Sequence, residues 1–179
     1  MRTFLAALLL LVSACAHPAV ETMQPMASAL HGGAYVYSVD LSLATAARAA
    51  ASASDDKLKP GREGYAGMKF APMLVQAVKD AAAARGLREG RALTIDIELD
   101  RLSVPGVAGA FVGGRDRLAG QVNVVDARSG AKLASFYVDV DRRSPGLIGV
   151  ALRGGGVREK LAAAFARHVA DQLVQQPRR

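Results

Sequence analysis

The sequence predicts an α+β fold: a two-layer sandwich with a mixed, mostly antiparallel four-stranded sheet and two helices on one face. Three observations lead there. Leu93 to Asp100 alternates apolar and polar residues with a period of two. Two stretches, near 69–85 and 157–174, repeat apolar positions at helical spacing. Turn chemistry separates the remaining strand candidates, and the resulting order is β-α-β-β-β-α.

The chain opens with a single charge, Arg2, followed by an apolar run from Phe4 to Val12. That run is well short of the roughly 20 residues a helix needs to cross a hydrocarbon core, so it targets rather than spans. Val12-Ser13-Ala14-Cys15 then brings small residues up to a cysteine, the pattern of a lipobox whose thiol accepts a diacylglycerol. Ala14-Cys15-Ala16 also satisfies the small-x-small pattern of an ordinary secretory cleavage site. Cys15 is the only cysteine, so no disulfide can form within one chain, and its placement at that site favours lipidation. Two or more acyl chains anchor stably where one holds only marginally. Residues 1–14 are expected to be a signal peptide and 15–33, rich in Ala, Pro, Met, Ser and Gly without periodicity, a lipidated tether; a single domain should occupy 34–175.

Within that domain the first strand candidate is Tyr35 to Leu41, after Gly32-Gly33. Residues 44–65 are Ala- and Ser-rich, then charged through Asp55, Asp56, Lys57 and Lys59, and close on Pro60-Gly61; they read as a long mobile loop. Phe70, Leu74, Val78, Ala81 and Ala82 recur at helical spacing, with Pro72 tolerable in the first turn and Gly86 able to end the helix. In the strand from 93 to 100, Leu93, Ile95, Ile97 and Leu99 share one face, and Thr94, Asp96, Glu98 and Asp100 the other. That second face should be left to solvent or a partner. Strands near 117–126 and 132–141 flank Asp126-Ala127-Arg128-Ser129-Gly130, whose Asp, Ser and Gly suit an antiparallel hairpin, with Phe136, Val138 and Val140 inward. After Gly154-Gly155-Gly156, a helix over 157–174 aligns Val157, Leu161, Ala164, Phe165 and Val169.

Two glycine-rich segments interrupt this pattern: Pro105 to Arg115, carrying Val107, Phe111 and Val112, and Pro145 to Gly155, carrying Leu147, Ile148 and Leu152. Each follows a strand, and the expected topology has both leave from one end of the sheet. Loops are normally polar, so apolar ones pack on the core, dip into a membrane or meet another subunit. These six apolar residues are the candidate partner-binding positions.

Chemistry is otherwise sparse. The formal charge of +7 falls to +6 once Arg2 leaves; it serves solubility or, in an envelope, meets lipid or lipopolysaccharide phosphates rather than nucleic acid. There is no Trp and only four Tyr and five Phe, too few for a base- or sugar-stacking platform. His17, His31 and His168 are scattered with no H-E-x-x-H and no second cysteine, which gives no metal site. No phosphate-binding G-x-x-x-x-G-K-[ST] or G-x-G-x-x-G and no G-x-S-x-G elbow occurs. Asp96, Glu98 and Asp100 alternate as a solvated strand face does. No cofactor and no enzyme activity are expected.

The run from Leu93 onward, through Val124-Val125-Asp126-Ala127-x-Ser129-Gly130-x-x-Leu133-Ala134 to the closing helix, resembles a family of uncharacterised Gram-negative lipoproteins defined only as a domain of unknown function. More loosely it is similar to the periplasmic domain of the curli-secretion lipoprotein and the N-terminal domain of TolB. It lacks the paired long amphipathic strands a pore would need. The resemblance implies a fold and an address. With Ala16 rather than Asp after the cysteine, it implies an outer-membrane lipoprotein facing the periplasm. The expected role is a non-enzymatic binding or envelope-assembly module, contacting an envelope protein or itself through the Gly-rich loops. The alternative is a lipid or small-ligand carrier or auxiliary subunit of an envelope transport system.

Overall fold

The computed structural model describes residues 19–26, 33–58, 63–105, 114–143 and 156–174. Its elements are β1 (Val20–Gln24), β2 (Ala34–Leu43), α1 (Thr45–Asp55), a single 3-10 turn (Gly64–Gly67), α2 (Phe70–Ala84), β3 (Arg91–Ser103), β4 (Arg115–Asp126), β5 (Lys132–Arg143) and α3 (Val157–Val174). The strands form one sheet in the order β1-β5-β4-β3-β2, with β2 parallel to β3 and every other pair antiparallel. A parallel pair needs a long crossover, and α1 with α2 supplies it.

The layers follow from side-chain alternation. Leu93, Ile95, Ile97 and Leu99 of β3, Leu118, Val122 and Val124 of β4, and Phe136 and Val138 of β5 are buried on one face. Phe70, Met73, Leu74 and Val78 of α2 and Leu161, Phe165 and Val169 of α3 close over them. Each such side chain contributes about 1.5–3 kcal/mol by leaving water.

The α+β class and mixed, mostly antiparallel sheet agree with expectation, but among the described residues there are five strands and three helices where four and two were expected. The order is β-β-α-α-β-β-β-α. Residues 45–55, expected within a mobile loop, are helix α1. Alanine is the best helix former, and Ala47 and Ala51, one turn apart, bury against the core without needing large side chains. Residues 20–24, expected within the tether, form edge strand β1, with Val20 opposite Val138 and Thr22 opposite Phe136. Five residues are too few to show a period, so partner strand β5 decides their conformation rather than local pattern.

β3 also runs further than its alternating core because of a bulge. Leu99 stands opposite Gly120 and Arg101 opposite Ala119, so Asp100 is the extra residue. Asp100 and Arg101 both face out, and Leu102 returns to the buried face. Gly120 is what lets the strands approach there: a Cβ on it would lie 2.4 Å from the Glu98 carbonyl oxygen and 2.9 Å from Leu99 Cα.

At the β4–β5 turn the expected chemistry is present. Asp126 Oδ1 accepts from the backbone N–H groups of Arg128 and Ser129 at 2.9 and 2.7 Å, and Gly130 takes φ 72°. Those donors, the Ser129 N–H foremost and then Arg91, hold the Asp126 carboxyl well below the usual carboxylate range.

Gly120→Ala is expected to lower stability by about 1–3 kcal/mol, the usual range for overpacking. Thermal unfolding followed by circular dichroism checks this; an unchanged midpoint would contradict the close approach.

Candidate functional site

Cys15 and the six loop positions Val107, Phe111, Val112, Leu147, Ile148 and Leu152 all lie outside the described residues. Their flanks are described, and they converge. Ser103 stands opposite Arg117 and Arg115 opposite Arg143, so the strands from which both Gly-rich segments depart end together. The chain also enters the sheet from this end: β1 runs antiparallel to β5, and the Asp139 N–H donates to the Ala19 carbonyl at 2.9 Å. Val104 and Pro105 here face Gly156 and Val157 across a cavity of about 370 Å³, with Ala53 and Leu58 in its wall.

Beside the cavity, Arg158 of α3 is only 7% exposed. Its Nη1 donates to Asp55 Oδ1 at 3.0 Å, its Nε to Glu159 Oε1 at 3.0 Å, and its Nη2 to the Met68 carbonyl. Asp55 Oδ1 also accepts the Phe70 N–H at 2.8 Å, one of the donors that a helix start leaves without an intrahelical partner. One guanidinium therefore ties the end of α1, the start of α2 and the start of α3. Glu159, third residue of α3, puts a carboxylate near a positive helix end. Its Oε2 has no hydrogen-bond partner among the described residues. With three acceptors around it, Arg158 locks helix ends together rather than presenting charge to a ligand.

A second candidate surface is the sheet face that the helices leave bare. Ser38 Oγ and Thr94 Oγ1 lie 2.9 Å apart, and the next register pair is Asp40 opposite Asp96. The Asp96 carboxyl is raised above its ordinary value by burial first and then by the charge of Asp40, while Lys132 opposes the shift. Arg117 grips Asp139 with two hydrogen bonds, and Arg115 donates to Asp141 at 3.0 Å. Exposed pairs of this kind hold geometry more than stability. Tyr137, opposite Gln121 of β4, donates across that strand to the bulge residue Asp100 at 2.9 Å. Burial and then the Asp100 carboxylate push its phenol up to about 12. The alternating acidic face expected of the strand from 93 to 100 is therefore present and outward, and the bulge turns Arg101 outward beside Asp100. His168 is half-buried on α3.

The Asp55–Arg158 clamp was not legible as a site. Asp55 reads as a loop charge until α1 is known to end there. The available signal was Arg158 itself, a cation in a helix's first turn, where the dipole disfavours one; burial against two carboxylates explains it.

No described protein family and no curated protein matches the sequence. Among solved structures, the fold is similar to that of PelC from Paraburkholderia phytofirmans, solved as a dodecamer. Identity is 13% and the TM-score 0.52, over 88% of this chain and 99% of that one. A protein from Xanthomonas campestris belonging to a domain family of unknown function gives 15% identity and a TM-score of 0.47 over 79% and 84% of the two chains. A protein from Caulobacter crescentus with an inferred lipoprotein designation gives 16% and 0.40 over 75% and 86%. What the chain shares with PelC at such identity is the fold.

Two measurements check the site. Arg158→Met leaves Asp55 and Glu159 without their cation and is expected to cost about 3–5 kcal/mol, as breaking a buried pair does; urea unfolding with an unchanged midpoint would contradict the clamp. For Tyr137 the folded value exceeds the ordinary phenol value near 10, so its stabilising contribution is complete below pH 10 and lost as pH rises through about 12. Asp100→Asn should move the Tyr137 ionisation to lower pH in a ring-carbon NMR titration.

Proposed function

We propose that this chain is a lipoprotein of the outer membrane, anchored through Cys15, facing the periplasm and acting without catalysis as a binding or envelope-assembly module. One observation carries the reading: a lipobox ends on the only cysteine, and the first described strand, β1, begins five residues later at Val20. Five residues span at most about 17 Å, so a lipid on Cys15 would hold the domain against its membrane rather than on a long lead. The assembly role is supported by the two apolar Gly-rich segments, which depart from strand ends on the side from which β1 enters the sheet. It is also supported by the fold shared with PelC, a protein solved as a dodecamer. Val107, Phe111, Val112, Leu147, Ile148 and Leu152 are the residues proposed to meet another copy or another envelope protein.

The cavity beside Val104 and Val157 supports a second reading, a lipid or small-ligand carrier. Its 370 Å³ lies near the lower end of the roughly 300–1,000 Å³ of ligand pockets. It sits at the end of the sandwich rather than beneath the sheet, where Phe70, Phe136 and Phe165 are fully buried. That position favours the assembly reading.

Metabolic labelling with an alkyne palmitate tests the anchor. The native protein should take up label and sediment with outer membranes, Cys15→Ala should be unlabelled and soluble, and Ala16→Asp should move to the inner-membrane fraction. A native protein that is unlabelled and soluble would overturn the proposal.

A further inference from the structure

We infer that the end of the sandwich formed by Val104, Pro105, Gly114, Arg142 and Lys160 docks on the lipid surface that holds Cys15, so that the sheet stands on the membrane by its strand ends. This rests on the lipid anchor proposed above and adds to it an orientation and a contact surface.

The register of β1 carries the argument. Val20 stands opposite Val138 and Ala19 accepts from Asp139, so β1 enters the sheet from the side of β5 that ends at Arg143. Cys15 is five residues before Val20, a reach of at most about 17 Å, close to the five-residue distance from the level of Val138 to Arg143. At the other end is the Asp126–Gly130 turn, separated from Arg115 by all 12 residues of β4, about 40 Å. The two ends also differ in chemistry. The far end is ringed by exposed Arg88, Glu89, Arg128 and Lys132 and by the Arg85–Asp171 and Arg91–Asp126 pairs. The near end carries half-buried Leu58, Val104, Pro105 and Val157. Exposed Lys57, Arg142 and Lys160 at this end, beside exposed Asp56 and Asp141, are suited to headgroup phosphates. An apolar patch rimmed by cations beside a short acylated leash fits a lipid surface better than water.

Because Cys15 is consumed by its lipid, an introduced cysteine is the only free thiol, and a fluorophore can be placed at either end of the full lipidated chain. Lys160→Cys and Arg128→Cys, each labelled and reconstituted in phosphatidylethanolamine–phosphatidylglycerol vesicles carrying a brominated lipid, report proximity. The label at 160 should be quenched several-fold more than that at 128. Equal or reversed quenching in vesicles that carry the protein would overturn the docking while leaving the anchor intact. Failure of the protein to float with vesicles would overturn both. A ten-residue Gly/Ser insertion after Pro18 adds about 17 Å of flexible reach. If the near end binds lipid itself, the difference persists with the insertion; if it vanishes, the leash alone held that end near and the docking surface is refuted.

Discussion

Everything in this fold depends on one face of one sheet being apolar. β3, central in the crossover and paired on both sides, offers Leu93, Ile95, Ile97 and Leu99 inward and polar residues outward. Three helices can cover only one side of such a sheet, so they gather there. The period of two in a single strand thus decides the layer order, the placement of the phenylalanines and the exposure of the opposite face. The bulge at Asp100 preserves that logic where the strand would otherwise slip out of phase, and Gly120 permits the bulge.

The helix layer depends on a narrower device. Helix starts and ends leave backbone donors and acceptors unpaired, and here one buried arginine and one aspartate serve two backbone groups at the start of α2 while joining three helix ends. Asp55 accepts from the start of α2 and from Arg158, while Arg158 also reaches the Met68 carbonyl just before α2. The arrangement makes α1 part of the core rather than an ornament of the crossover, and it closes the sandwich at the end where β1 enters.

How far the sequence was readable tracks where the information lies. The helix expected over 69–85 is found at 70–84 and the last at 157–174, because both carry large apolar side chains at helical spacing. The β4–β5 hairpin was readable in Asp126, Ser129 and Gly130 because an aspartate beside the right donors makes its turn locally. Helix α1 was hidden by composition: an alanine stripe buries well but looks like low complexity. Strand β1 was hidden by length, since pairing with β5 and not its own pattern makes it a strand. The candidate site was readable only as an address. The lipobox is a linear signal, whereas Arg158 meets Asp55 across 103 positions, and the convergence of β1, β3 and β5 at one end exists only in the folded sheet. β1 itself takes five of the residues expected in the tether.

The central claim is that Cys15 is the mature N-terminus and carries lipid, and mass spectrometry of the N-terminal peptide from native envelopes tests it most directly. The account predicts a peptide that begins at Cys15, bears a thioether-linked diacylglycerol and contains no residue of the preceding 14. A peptide beginning at Ala16 or beyond, or one with an unmodified Cys15 thiol, would contradict it.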